Sequence, residues 1–272
     1  MSHILRRSLL PLRSFSTKVC KPGLVVFDKD GTLIDFNLMW GGWVESVAWQ
    51  LEMTTKLPVR EKLFKAMGYD WITRSIRSKG VLCCTPMGEL YKVAVNVLLE
   101  QGMPAESAEK AIKKIWHMPD AVNTSRPLAD IPALFLTIKR MGLKIAVCTA
   151  DNRAPTLATL QHLQVDHLVD SIACGDDGLP AKPAPEQIWS ICHNLGVEPH
   201  NAIMVGDTCT DMLLGRNAGC GLSIGVIGGA SSLEDLAEDA DVLVPNLNKI
   251  IKVLFQYSQQ ASAKEVAESV AA

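Results

Sequence analysis

Short apolar, β-branched runs recur along the chain and alternate with segments of helical periodicity. The first run, LVVFD at 24–28, is apolar until its final residue, which is typical of a strand buried on both faces of a parallel sheet. Similar runs predict strands at 144–149, 170–175, 201–207, 222–228 and 241–244. Apolar residues at helical spacing predict helices at about 131–141, 153–163, 185–196, 209–218 and 231–238. This alternation predicts an α/β fold, with helices on both faces of a parallel sheet.

One long segment, residues 37–127, interrupts the alternation. It has no comparable strand, and its apolar residues recur at helical spacing, as in MWGGWVESVAWQLEM and MGELYKVAVNVLLEQ. We interpret it as a helical domain inserted into a core formed by residues 22–36 and 128–256. Three tryptophans of the insertion are expected to build its own core rather than a ligand site: Trp40, Trp43 and Trp49. Residues 257–272 are predicted to form a flexible C-terminal tail, either a frayed helix or a disordered segment.

The composition supports a sizeable core and excludes several classes of protein. Of 272 residues, 48% are hydrophobic and 21% are charged. The formal net charge of −2 provides no electrostatic reason to expect a nucleic-acid partner. No apolar run approaches the roughly 20 residues that span a bilayer, so no membrane association is expected. The eight cysteines form no CxxC pair, which favours buried thiols over disulfides or zinc ligands. The sequence does not indicate an oligomeric state.

The first 21 residues differ in composition from the rest. They contain five basic residues and several serines, and the first acidic residue of the chain is Asp28. An Arg-rich, Ser-rich and acid-poor N-terminus is typical of an organellar import peptide, so we predict that residues 1–21 direct the protein to the mitochondrion. The alternative is an ordinary basic tail on a cytoplasmic protein.

Four polar motifs follow the predicted strands or lie shortly beyond them. They are Asp28-Lys29-Asp30-Gly31-Thr32, Thr149-Ala150-Asp151-Asn152, Ala181-Lys182-Pro183 and Gly206-Asp207-Thr208-Cys209-Thr210-Asp211. The carboxyl ends of parallel strands meet at one edge of a sheet, where open α/β folds bind their ligands. We therefore expect the four motifs to form one site.

The residue types in these motifs suit phosphate chemistry with a hard divalent cation. Clustered carboxylates without histidine or thiolate ligands favour Mg²⁺, which would also offset the repulsion between Asp28 and Asp30. A lysine and loop N–H groups can hold phosphate oxygens. One carboxylate can attack phosphorus while its neighbour transfers protons. Gly31 permits a tight backbone path beside a substrate.

DKDGTLID, CTAD, the loop lysine and GDTCTD, in this order, closely resemble the motifs of the haloacid dehalogenase-like hydrolase superfamily. The resemblance covers about residues 24–245. It implies a Rossmann-like core and, at 37–127, a helical cap that closes over the site. It also implies a Mg²⁺-dependent phosphatase that hydrolyses a small-molecule phosphate ester through an aspartyl-phosphate. A phosphoglycolate phosphatase-like activity is one option, and sugar phosphates or nucleotides are others.

The resemblance also implies a role for each motif residue. Asp28 would be the nucleophile and Asp30 the general acid/base. Mg²⁺ would be held by the carboxylates of Asp28 and Asp207 and by the backbone carbonyl of Asp30, with Asp211 supporting them from nearby. The phosphoryl group would contact the strand-end loops and the loop lysine through Gly31, Thr149, Ala150 and Lys182.

The same motifs bear on the alternatives to a phosphatase. Dehalogenases and phosphonate-cleaving relatives lack an aspartate at the position of Asp30, so the resemblance disfavours both. A phosphomutase stays open, because it would keep Asp30 and differ in how well the cap excludes water. A non-catalytic ligand-binding relative predicts a damaged motif, and none is found. Phe36 and Ala150 depart from residues common in the family, so the sequence does not assign the substrate.

Overall fold

The chain divides into two compact units. The computed structural model describes residues 20–77, 80–85, 87–117, 119–120 and 122–271. One unit combines the chain up to Asp35 with the chain from Pro127 onward, and the other spans Phe36–Arg126. This second unit differs by one residue at each end from the predicted insertion. Most of the predicted import segment lies in residues 1–19, outside the described residues, so import stays a prediction.

The core unit is built on a parallel sheet. Along the described chain the strands are β1 (Leu24–Phe27), β2 (Tyr69–Asp70), β3 (Ser75–Ile76), β4 (Lys144–Cys148), β5 (Ser171–Ala173), β6 (Ala202–Gly206), β7 (Leu222–Val226) and β8 (Val242–Val244). Strands β2 and β3 lie in the inserted unit, where they form a separate antiparallel pair. Within the described residues, six strands form the sheet in the order β5-β4-β1-β6-β7-β8, with every adjacent pair parallel. The prediction of a parallel α/β sheet is confirmed.

Helices follow the strands of the core and fill the inserted unit. In the inserted unit they are α1 (Gly42–Thr55), α2 (Arg60–Met67), α3 (Val81–Cys84), α4 (Met87–Glu100) and α5 (Ala105–Ile115), after a short π-helical segment at Asn37–Gly41. In the core unit they are α6 (Ile131–Arg140), α7 (Arg153–His162), α8 (Glu186–Leu195), α9 (Cys209–Ala218), α10 (Leu233–Asp239) and α11 (Ile250–Ala271). Among the described helices, none combines the length and the apolar character required to cross a membrane.

The strand register brings the polar motifs to one edge of the sheet. Strand β1 is central and fully buried, and Phe27 pairs with Val147 on one side and with Val205 on the other. Asp28 is one residue past this row of paired residues, and Thr149 and Asp207 are each two residues past it on the neighbouring strands. Three chain segments far apart in sequence thus end side by side.

The sheet is held by apolar packing on its faces. On one face of the sheet, Val26 of β1, Ala146 of β4 and Met204 of β6 pack against buried side chains of α8 and α9, including Ile188 and Leu214. The ring of Phe27 lies 5.2 Å, centroid to centroid, from that of Phe135 of α6. Fully burying a side chain such as Phe27 stabilises a fold by about 1.5–3 kcal/mol, so these contacts stabilise the sheet that carries the polar motifs.

The inserted unit has its own core, and one of the three tryptophan predictions is wrong. Trp40 and Trp43 are buried in an edge-to-face contact at 5.8 Å, and Trp43 donates a hydrogen bond to the carbonyl of His117. Trp49 is 56% exposed. It lies on the face of α1 opposite the buried face that carries Val47 and Leu51, so helical geometry directs it to solvent.

The C-terminal segment is helical, and its first residues are packed. Helix α11 continues through residues 257–271. Tyr257 and Ala261 are buried, and the Tyr257 hydroxyl donates a hydrogen bond to the carbonyl of Gly221 at 3.0 Å. These two residues continue the apolar face that begins with Val253 and Leu254, so the helix extends as long as that face packs.

Candidate active site

Asp28 lies where the central strand ends. Its N–H donates to the carbonyl of Val205 at 2.9 Å, which continues the ladder between β1 and β6 by one residue. The next residues turn sharply, because the carbonyl of Lys29 accepts hydrogen bonds from Leu33 and Ile34 at 2.9 and 3.2 Å. Gly31 adopts φ +90°, a backbone conformation that glycine adopts readily and residues with a Cβ rarely do. The turn holds Asp28, which is only 7% exposed, at the sheet edge.

Lys182 joins two of the predicted site carboxylates. Its Nζ donates hydrogen bonds to Oδ1 of Asp28 and to Oδ1 of Asp211, each at 2.7 Å. The lysine side chain is 6% exposed, so both ion pairs are formed away from bulk water. Lys182 therefore contacts directly two carboxylates that the sequence predicted for the same site.

Asp207 and Asp211 are each fixed by further hydrogen bonds. Oδ1 of Asp207 accepts from the Thr32 hydroxyl at 2.8 Å, and Oδ2 accepts from the N–H of Ala230 at 2.6 Å. Asp211 forms a reciprocal capping box with Thr208 at the start of α9. Asp211 thus caps the helix through Oδ2 while Oδ1 contacts Lys182.

A carboxylate triad formed by Asp28, Asp207 and Asp211 fits a divalent cation. Each residue offers an oxygen, the three oxygens lie within 4.8 Å of one another, and all three residues are buried. When ionised, three carboxylates beside the single ammonium of Lys182 leave two negative charges for a divalent cation to neutralise. An all-oxygen donor set is the one that Mg²⁺ prefers.

The electrostatics of the triad show that Lys182 alone does not balance it. Burial raises the pKa of Asp28 well above its ordinary value, Lys182 opposes this shift, and Asp211 adds to it. Burial, followed by repulsion from Asp211, raises the pKa of Asp207 to about 7. The charged forms of Asp28 and Asp207 are therefore disfavoured in the protein without a cation.

The second motif lies at the same sheet edge. Thr149 is buried, its N–H donates to the carbonyl of Ala173 at 2.9 Å, and its hydroxyl accepts from the N–H of Asp151 at 3.1 Å. Ala150 is exposed, and a Cβ on Gly175 would lie 2.2 Å from its carbonyl oxygen. The loop is thus tightly packed, and the phosphate contacts assigned to Thr149 and Ala150 stay predictions.

The structure adds residues to which the sequence analysis assigned no role. Lys29 is fully buried, and its Nζ lies 2.7 Å from Oδ1 of Asp30 and 2.9 Å from Oδ2 of Asp151. The side chain of Asp30 therefore pairs with Lys29 rather than with the triad. A lysine between two aspartates at the end of a buried strand was the available signal. Thr32, which holds Asp207, is the second addition.

The close approach of Gly31 to Asp207 makes a testable prediction. A Cβ at position 31 would lie 2.2 Å from Oδ2 of Asp207, and φ is +90°. Gly31→Ala is expected to destabilise the protein by about 1–3 kcal/mol more than Gly142→Ala, because the latter has φ +78° but open space around its Cβ. Thermal denaturation checks this, and equal losses in the two variants contradict it.

Comparison with known proteins agrees with this geometry. Residues 22–219 match the family model described as haloacid dehalogenase-like hydrolase. A phosphoglycolate phosphatase from Neisseria meningitidis is 32% identical over 217 residues, which are 79% of this chain and 84% of that protein. The pyrophosphatase PpaX from Halalkalibacterium halodurans is 33% identical over 105 residues, which are 39% of this chain and 48% of that protein.

A solved structure shows the same fold at lower identity. The crystal structure of β-phosphoglucomutase from Clostridium difficile superimposes with a TM-score of 0.55 and 19% identity, covering 90% of this chain and 99% of that one. The ordered strand-end motifs, the parallel sheet and the match over most of the sequence lead to one conclusion. The chain belongs to the haloacid dehalogenase-like hydrolase family.

Proposed function

We propose that this hydrolase is a Mg²⁺-dependent phosphatase that acts on a small-molecule phosphate monoester through an aspartyl-phosphate on Asp28. The observation that carries the proposal is the buried triad of Asp28, Asp207 and Asp211 with Lys182 bonded to Asp28. Relatives named phosphoglycolate phosphatase and pyrophosphatase support phosphate chemistry.

In the first half of the proposed reaction, an oxygen of Asp28 attacks phosphorus and the bond to the leaving oxygen breaks. Asp30 gives its proton to that oxygen, which leaves as an alcohol. Lys182 holds Oδ1 of Asp28 and contributes positive charge where the phosphoryl oxygens bind. Gly31, Thr149 and Ala150 provide the remaining contacts to the phosphoryl group.

In the second half, Asp30 accepts a proton from water as the water attacks phosphorus. The acyl-phosphate bond breaks, inorganic phosphate leaves, and the Asp28 carboxylate is restored. Asp28, Asp207 and the Asp30 carbonyl, with Asp211 in support, would hold Mg²⁺, which would supply positive charge against the carboxylates and the phosphoryl oxygens.

Phosphate release from a panel of compounds tests the proposal. The panel contains 2-phosphoglycolate, pyrophosphate, sugar phosphates and nucleoside monophosphates, each with Mg²⁺ and with EDTA. We expect release of inorganic phosphate from at least one monoester with Mg²⁺ and loss of that activity with EDTA. If no ester in the panel is hydrolysed, the proposal is contradicted. Conversion of a sugar phosphate to its isomer without phosphate release favours a phosphomutase instead.

A further inference from the structure

We propose that Lys29 is a positioning residue that holds the Asp30 carboxylate in the orientation required for proton transfer to the leaving oxygen. The inference rests on the proposed function and goes beyond it, because neither the motif resemblance nor the charge of the triad assigns a role to Lys29. It is carried by the contacts of three residues: Lys29, Asp30 and Asp151.

Lys29 is fixed at both ends. Its side chain is 0% exposed, and Nζ contacts Oδ1 of Asp30 and Oδ2 of Asp151 at 2.7 and 2.9 Å. Its backbone carbonyl accepts the two hydrogen bonds, from Leu33 and Ile34, that close the turn after β1. The ammonium group therefore has a fixed position from which it can orient the carboxylate of Asp30.

Asp151 anchors this ammonium group to a neighbouring loop. The N–H of Asp151 donates to the Thr149 hydroxyl at 3.1 Å, and its carbonyl accepts from the N–H of Gly175 at 2.8 Å. Its Oδ1 accepts from the N–H of Asn152 at 2.7 Å, so Oδ2 faces Lys29 in a defined orientation. Contacts thus run from the loop after β5, through the loop after β4, to Asp30.

The pairing leaves one oxygen of Asp30 available for chemistry. Oδ1 accepts from Lys29, whereas Oδ2 receives no hydrogen bond from the described part of the chain. The side chain of Asp30 is 13% exposed, so a substrate can approach it. Rotation about the terminal bond of an aspartate is broad, and a fixed partner on one oxygen therefore determines where the other points.

An apolar residue at position 29 would leave Asp30 and Asp151 without the cation that they share. A buried ammonium group is strongly unfavourable unless carboxylates pair with it, and both carboxylates are present here. A correctly placed general acid contributes roughly 100- to 10,000-fold to a reaction rate, and a misplacement of about 1 Å costs about 100-fold. The geometry therefore predicts that loss of Lys29 affects leaving-group protonation selectively.

The test compares Lys29→Met with wild type on two esters of similar size. Benzyl phosphate releases an alkoxide that needs a proton, whereas p-nitrophenyl phosphate releases a stable phenolate that does not. With Mg²⁺ present, we expect kcat/KM to fall about 10- to 100-fold for benzyl phosphate and at most about threefold for p-nitrophenyl phosphate. Equal losses, or no loss, overturn the proposal.

Lys139→Met is the matched control. It removes an ion pair with Asp170, at 2.6 Å, where Asp170 precedes β5 at the opposite edge of the sheet. We expect it to change neither kcat/KM. If Lys29→Met does not fold, Asp151→Asn replaces it, because this variant weakens the anchor of Lys29 while retaining the lysine. The same selective loss, smaller in size, is then expected, and equal losses overturn the proposal.

A crystal structure of the folded variant provides a readout that does not depend on turnover. We expect the Asp30 side chain to occupy more than one orientation without its partner, and a single unchanged orientation overturns the proposal. Inactivity of wild type towards every ester contradicts the proposed function instead, so the two failures are distinguishable.

Discussion

Asp28→Asn is expected to lower phosphate release at least about 10,000-fold while leaving the protein folded. The amide has the shape of the carboxylate but cannot attack phosphorus. Burial, and then repulsion from nearby carboxylates such as Asp211, raise the pKa of Asp28, so removing its charge is favourable in both respects. Lys182 loses one partner and keeps Asp211. Phosphate release with the best substrate of the panel and circular dichroism measure the two effects.

The control for this variant is Asp166→Asn, which makes the same chemical change at an exposed position away from the sheet edge. It is expected to retain wild-type activity. Activity of Asp28→Asn within about tenfold of wild type excludes Asp28 as the nucleophile. Loss of activity together with loss of the circular dichroism signal contradicts the expectation that the fold is retained.

Mg²⁺ is expected to raise the thermal midpoint more at about pH 8 than at about pH 5.5. The pKa of Asp207 is about 7 in the folded chain, above the value of about 4 for an unfolded aspartate, and that of Asp28 is also raised. The folded chain therefore binds more protons than the unfolded chain in this interval. Stability without metal falls as pH rises from about 4 through about 7, and a cation replaces the lost protons.

At a concentration near 100 times its dissociation constant, Mg²⁺ stabilises the folded chain by about 2.7 kcal/mol, or roughly 5–10 °C for a domain of this size. Thermal scans with EDTA and with Mg²⁺ at both pH values measure this shift. Asp207→Asn is the matched variant, and its Mg²⁺ shift is expected to be smaller and less dependent on pH. A shift in wild type that is the same at both pH values contradicts this account.

The strands were predictable because their environment is encoded locally. A central strand of a parallel sheet is buried on both faces, so a run such as 24–28 is apolar throughout and needs no knowledge of its neighbours. Its observed bounds, Leu24–Phe27, end one residue earlier. Trp49 was predicted wrongly because its apolar side chain was weighed without its helical position, which lies opposite the buried face of α1.

The site was predictable to the extent that its chemistry lies in short motifs. Asp28, Lys182 and Asp211 were assigned to one site, and the structure places Lys182 in direct contact with both aspartates. The hydrogen bond between Thr32 and Asp207 joins residues 175 positions apart, and no local pattern indicates such a pair. The pairing of Lys29 with Asp151 was missed for the same reason.

The sequence by itself determined the order of strands and helices and the polar residues that follow each strand. Strands, helices and glycine-containing turns are encoded by residues within a few positions of one another, so the sequence alone predicts them. Only the tertiary structure decided that Lys29 is buried between Asp30 and Asp151 and that α11 packs through Tyr257 and Ala261. The physical reason is that the partners of a buried charge, and the surface that covers a helix, come from distant segments brought together by the packed sheet.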